Sequence, residues 1–385
     1  LFDLPGGTVK AAMGFEARVE QGDYNSSAIQ NLDLTRSAAR PSLGGGYEVD
    51  ADYYEVSVPL LGDDLTLPGV MSLVADYSAR TIDNSIAGSY DVDATSLNWR
   101  IMDDLAVRYS EQTAVKAPDL GDLFLPQITA FSRADDPCDY RFRDVGRNPE
   151  QRRANCDAEG IPADFVSLVV NATARGVTGG NPNLINEVAD TVSTGIVYQP
   201  NWWGDVFFGS LNLAADYIEI QLNDYVTSFS LTQNMAACYD YDTYPNSQFC
   251  DSFTRDADFE VVDFQTGLIN AGLIDFATYV WKADWAFDVS ELASFVSREN
   301  VAMDLGSMAI RYRATQEDFF ASADSGAAED LRSATGQFGN DEWFYDTQFE
   351  WAYQDWYVYV QGNSRSGGVI AVSYTHLTLP TTVRV

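Results

Sequence analysis

The chain has 385 residues, of which 57 are Asp or Glu and 23 are Lys or Arg, for a formal charge of −34 at pH 7. Such an acidic chain lacks the basic face that nucleic acids require, and with 46% apolar and 13% aromatic residues it is too hydrophobic for intrinsic disorder. No run approaches the ~18 uncharged apolar residues of a membrane helix, and a single His with no close Cys/His cluster points to no zinc centre and no cofactor.

Period-two alternation dominates from the first residues, and helical periodicity is weak. In 8–20, Val9, Ala11, Met13, Phe15, Ala17 and Val19 share one side, against Lys10, Glu16, Arg18 and Glu20 on the other. The same pattern predicts strands at 53–58, 71–78, 92–101, 104–110, 190–199, 207–226, 271–288, 307–313, 343–353 and 356–361, eleven in all. Within 207–226 the apolar phase changes near Asp216, from Leu211 and Leu213 to Ile218, Ile220 and Leu222. A bulge or an exit from a membrane would produce that change.

The predicted connections alternate in length. Short ones fall near 61–68, 102–103, 200–206, 289–300 and 354–355, and long ones near 21–46, 80–90, 113–189, 227–262 and 316–340. A soluble sandwich has no reason to sort its loops so, whereas a transmembrane barrel has short turns on one side and long loops on the other. Aromatics at strand ends (Tyr54, Tyr77, Trp99, Tyr109, Tyr198, Trp285) fit interfacial girdles. The expected fold is therefore all-β: an antiparallel transmembrane β-barrel with apolar side chains toward lipid and charged ones toward a wet lumen. A soluble β-sandwich or propeller gives the same alternation and stays as the alternative.

The longest loop holds Arg133, Arg141, Arg143, Arg147, Arg152 and Arg153, a basic cluster in an acidic chain. It would suit an anionic ligand such as a metal chelate, or it pairs with the neighbouring Asp135, Asp136, Asp139, Asp144 and Glu150. Cys138, Cys156, Cys238 and Cys250 allow three pairings. Local closure, Cys138 with Cys156 and Cys238 with Cys250, is the expected one and implies an oxidising compartment. The alternative is four reduced thiols. All 57 acids lie at or before Asp355. Residues 372–385, beginning Val372-Ser-Tyr-Thr-His, resemble the translated read-through of a sequencing adapter and are expected to be a non-native tail, the alternative being a terminal strand.

Several segments resemble TonB-dependent outer-membrane receptors. They are Leu1-Phe-Asp-Leu-Pro-Gly-Gly through Glu16-Ala-Arg18; Arg108-Tyr-Ser through Ala117-Pro118-Asp-Leu and Leu123-Phe124; Gly180-Asn181-Pro182-Asn183-Leu184 with Glu187 and Asp190; Ala215-Asp-Tyr-Ile-Glu-Ile; and Cys238 to Cys250 with Ile269-Asn270-Ala271-Gly272. Lys116 stands where the family usually has Arg. Pro118 marks a strand's exit, since it has no N–H for a ladder. Gly180-Asn181-Pro182-Asn183 is turn chemistry that returns the chain to a strand, with Glu187 and Asp190 expected to face water or the lumen.

The resemblance implies the following. Residues 1–371 would be about half of a 22-stranded barrel, lacking the plug, and would not close into a barrel alone. The function would be energy-coupled uptake of a bulky ligand (ferric siderophore, haem, cobalamin or glycan) across the cell outer membrane, with no enzymatic role. Partners would be the small-molecule or metal-chelate ligand, the TonB complex through a region N-terminal to this chain, and outer-membrane lipid and lipopolysaccharide. A passive porin-like barrel, or a soluble secreted β-rich binding or carbohydrate-active protein, are the competing readings.

Overall fold

In the computed structural model, residues 2–32, 34, 41–62, 65–299, 303–323 and 331–369 are described; the expected tail at 372–385 lies outside them. Eleven long strands form one antiparallel meander in which every neighbour in space is a neighbour in sequence. They are β1 (Lys10–Tyr24), β2 (Leu43–Leu61), β3 (Ser72–Asn84), β4 (Gly88–Met102), β5 (Leu105–Lys116), β6 (Glu187–Tyr198), β7 (Ser210–Ser228), β8 (Val261–Asp288), β9 (Ser307–Ala323), β10 (Trp343–Tyr353) and β11 (Trp356–Arg365). Each overlaps one of the strands expected from alternation. Among the described residues, β1 and β11 pair on one side only, so the sheet is an open wall rather than a closed barrel.

The two faces of the wall differ in chemistry. Cross-strand register places Met13 opposite Tyr54, Tyr54 opposite Ala79, Leu73 opposite Trp99, Leu97 opposite Tyr109 and Ala215 opposite Trp281, all on the outward face. Met13 and Phe15 are 87% and 82% exposed, which water would not favour and hydrocarbon would. Toward one rim, indole N–H groups of Trp99, Trp285 and Trp351 donate to the turn carbonyls of Gly69, Phe208 and Leu305 at 2.9, 3.1 and 3.0 Å, as interfacial aromatics do. Toward the other rim the outward row turns acidic: Asp52, Asp93, Glu111, Asp190 and Glu219. Tyr109 donates to Glu111 at this boundary, 3.1 Å.

The inward face is polar and cross-linked. Arg108 on β5 reaches over β6 to Asp216 on β7 at 2.6 Å, with Lys282 of β8 at 3.7 Å from the same carboxylate. Gly195 lies between them on β6, and a Cβ there would meet Asp216 Oδ1 at 2.0 Å; glycine is what lets the pair form. Ser110 and Ser193 bond at 2.8 Å, and Asp76 accepts from Ser96 at 3.0 Å. A wet lumen tolerates such a face; a dry sandwich core would not.

The connections sort as expected with three differences. The connection expected near 80–90 is only 85–87, because Asn84 Oδ1 accepts from the amides of Ile86 and Ala87 at 2.9 and 3.0 Å and closes the turn at once. The phase change in β7 is not a bulge at Asp216. Its register with β8 runs unbroken to Leu222, with shifts only beyond it; Ile218, Ile220 and Leu222 turn inward where the strand leaves the lipid band. The connection after β8 is not a plain turn but holds a helix, Val289–Ser297.

Leu97→Arg, on the outward face in the middle of the band, is expected to destabilise the wall by about 2–4 kcal/mol, whereas inward Gln112→Arg should cost under ~1 kcal/mol. Urea unfolding of the receptor in lipid vesicles measures both; equal costs would contradict the assignment of faces.

Candidate functional site

The long connections on the acidic rim, 117–186 and 229–260, fold together into one unit with its own core. Cys138, Cys156, Leu231, Met235, Cys238 and Tyr239 are all at most 1% exposed and share a cluster with Phe249 and Phe264. Helix Pro149–Glu159 starts at Asn148, whose side chain accepts from Gln151 N, has Pro at its first turn and stops at Gly160 with φ 88°. Helix Leu231–Tyr239 begins with a reciprocal Ser230–Gln233 capping box. Both disulfides close locally as expected, Cys138–Cys156 and Cys238–Cys250, with Cα separations of 5.6 and 4.8 Å.

Most of the arginine cluster is spent inside this unit. Arg152 pairs with Asp240 at 2.5 Å with side chains 7% and 4% exposed, and also donates to the carbonyls of Phe142 and Val145. Arg143 is buried on Asp157 and the Ile161 carbonyl. Arg141 holds Asp139 at 2.7 Å, Arg153 holds Asp144 at 2.6 Å, and Arg147 donates to the Tyr241 hydroxyl at 2.7 Å. Asp136 pairs not with this cluster but with Arg255, at 2.7 Å and with both side chains buried. Arg133 differs: it is exposed and makes no side-chain ion pair or hydrogen bond among the described residues. It follows strand Ile128–Ser132, where Phe131, 66% exposed, lies opposite Arg175. Arg175 is also exposed and unpaired among the described residues. Phe131, Arg133 and Arg175 thus form an open aromatic and cationic surface; sequence reasoning found only Arg133, because the pairing of Phe131 with Arg175 joins segments far apart in the chain.

Burial shifts several groups here. Burial raises the Tyr239 phenol far above its usual value, reinforced by Glu159. Tyr244 is pushed up to about 12 by burial and the same carboxylate. Burial would raise Asp139, but the Arg141 guanidinium and the amides of Arg141 and Ser167 outweigh it and hold its carboxyl below 3.8.

The unit is seated on the wall by the Gly180–Asp190 segment. Gly180 N donates to Leu125 O at 3.0 Å and Asn181 N to Asp122 O at 2.8 Å, locking the return loop onto the exit after Pro118. Asn181 Nδ2 donates to Leu268 O at 3.0 Å. Asn270 accepts from Ile185 N and donates to Ile185 O, both at 2.9 Å, and donates to Asp224 O at 2.8 Å. Glu187, expected to face water or the lumen, lies on the inward row with Lys116 and Gly195 but is only 4% exposed, accepting from Lys116 Nζ at 2.9 Å and Val226 N at 2.8 Å. Asp190 is exposed and accepts from Thr113 at 2.8 Å. Pro182 is exposed at the tip of this turn. These motif residues build a joint.

Three comparisons bear on this architecture. Residues 2–272 match the family model for the TonB dependent receptor-like, beta-barrel domain. No curated protein matches. Among solved structures, a point mutant of the ferric enterobactin receptor PfeA from Pseudomonas aeruginosa aligns with a TM-score of 0.53 at 12% identity, over 94% of this chain and 39% of that one. A second PfeA mutant, in complex with enterobactin, gives 0.53 and 12% over 94% and 40%. At this identity the likeness is one of fold, and the chain spans about two fifths of the length of those receptors.

Arg152→Ala leaves Asp240 buried without its counter-charge and is expected to destabilise the loop unit by about 3–5 kcal/mol, while Arg153→Ala at the exposed Asp144 pair should cost under ~1 kcal/mol. Chemical unfolding followed by tyrosine fluorescence reads both. Because the folded Asp139 is more acidic than the unfolded one, its contribution is present above pH 3.8 and lost as pH falls through its lower folded value. Asp139→Asn should flatten that part of the acid unfolding profile; an unchanged profile would remove Asp139 from the account.

Proposed function

This chain belongs to the TonB-dependent receptor-like β-barrel family, and from that premise we propose that it supplies wall and external loops for energy-coupled uptake of a ferric siderophore across the outer membrane. The family is one of receptors rather than enzymes, and we assign the chain no reaction of its own. The family match over 2–272 carries the proposal. The geometry supports it: an apolar outward face, a polar inward face, and a loop unit on one rim stapled by two disulfides. Coupling to TonB would run through a plug that these residues do not include. Outward acids above the tyrosines would meet lipopolysaccharide through bridging divalent cations.

Of the arginines read from sequence, Arg133 is the one we retain as a ligand contact, joined by Arg175 and Phe131. Two guanidinium groups beside an aromatic ring suit an anionic chelate with aromatic arms. Uptake of iron-55 loaded on a catecholate siderophore, in cells that depend on the receptor, tests the function; no receptor-dependent uptake of any ferric chelate would end it. The double variant Arg133→Ala/Arg175→Ala should weaken chelate binding on the order of tenfold or more, as lost charge-assisted hydrogen bonds predict, without loss of folded protein. Unchanged affinity would clear that surface of the role.

A further inference from the structure

The rim opposite the loop unit carries a feature that uptake does not use. Its two longest connections, 199–209 and 289–306, do not simply turn. The first holds a short helix, Trp203–Val206, and the second the helix Val289–Ser297, capped by Asp288. Both fold back onto the outward side of the wall. Phe208 lies 4.9 Å from Trp285 and 5.0 Å from Phe287 between ring centroids. Trp285 is on the outward row, opposite Leu211. Phe295 of the helix packs 5.4 Å from Phe208 and 6.1 Å from Phe207, and Trp203 packs 4.4 Å from Phe207. Gly209 makes the fold-back possible: its φ is +68°, and a Cβ there would meet Ala286 O at 2.2 Å. Its amide donates to Glu291 at 3.0 Å, which ties the two connections together.

The result is a shelf whose underside is dry and whose outer surface is greasy. Phe208 and Phe287 are 7% exposed beneath it. Trp202, Val206, Phe207, Phe295 and Val296 are 46%, 57%, 40%, 49% and 72% exposed on it. A surface of this kind needs an occupant. It continues the lipid-facing band of Trp281, Trp285 and Leu211 without a break. Its polar edge is also ordered as at a membrane interface, with the Trp202 indole N–H donating to the Tyr198 hydroxyl at 2.9 Å. The flanking charges are mostly acidic, Glu291, Glu299 and Asp304 against Arg298, which repels anionic headgroups and accepts an ammonium.

We infer that this shelf is an interfacial anchor embedded in the zwitterionic phospholipid leaflet on the periplasmic side, with helix Val289–Ser297 lying along the membrane plane. It widens the wall's lipid contact at the height where a barrel ordinarily has only a narrow turn, and it fixes the depth and tilt of β7 and β8.

Val296 is the probe position, because it is exposed and the native cysteines are all in disulfides. Val296→Cys in the full-length receptor carrying this chain takes an environment-sensitive fluorophore, and the protein is reconstituted in phosphatidylethanolamine vesicles. Blue-shifted emission, quenched by acyl-brominated phospholipid more than by aqueous iodide, is the expected result. A control label at Asp242→Cys in the external loops should show the reverse. Water-like emission quenched mainly by iodide overturns the inference. Protection from both quenchers overturns it too, since that places a protein or a second copy on the shelf. Replacing Phe295 with Ser in the labelled receptor should lessen the blue shift; no change would count against the helix as the anchoring element.

Discussion

A buried carboxylate holds the architecture together at the point where the wall leaves the membrane. Glu187 is withdrawn from water, and it survives there because the Lys116 ammonium and the Val226 amide both donate to it. Lys116 ends β5, Glu187 begins β6 and Val226 lies near the top of β7. One side chain therefore fixes three consecutive strands, on both sides of the longest excursion in the chain. Asn181 and Asn270 extend the same joint, Asn181 by bonding Leu268 O of β8 and Asn270 by bonding backbone of Ile185 and Asp224, which lies outside the ladders. Two stretches 85 residues apart, Ile185 and Asn270, are thereby held as firmly as sheet neighbours.

This arrangement divides the molecule into parts with different sources of stability. The loop unit has a dry core, two disulfides and buried ion pairs, and resembles a small domain. Among the described residues the wall strands carry no disulfide. Its outward side chains find partners in lipid, and its inward ones find each other along the lumen-facing side, as Arg108 and Asp216 do over Gly195. Strand pairing and solvent on two sides take the place of a core. The joint at Glu187 is where one regime passes into the other.

The eleven strands were legible because the two faces of each meet different media, which writes a period of two into the sequence. Their lengths were not. Past the lipid band the outward residues of β2 become Asp50 and Asp52 while Tyr47 and Val49 turn inward and are buried, so the same alternation continues with its meaning reversed. The disulfides were readable because each closes within one loop. Arginine pairings were not legible where the partners are distant: Arg152 finds Asp240 88 residues on, and Arg255 finds Asp136 119 residues back. A list of neighbouring acids contains neither pair. The helix at Val289–Ser297 was missed because nine residues in a turn carry too little periodicity to register.

Cys138–Cys156 lies wholly between β5 and β6, and Cys238–Cys250 wholly between β7 and β8. Neither bond ties one wall strand to another. Maturation can therefore follow either order, with the thiols oxidising while the chain is still escorted through the periplasm or after the strands have zippered into the bilayer. A cell short of oxidant would build the same wall under an unlocked crown.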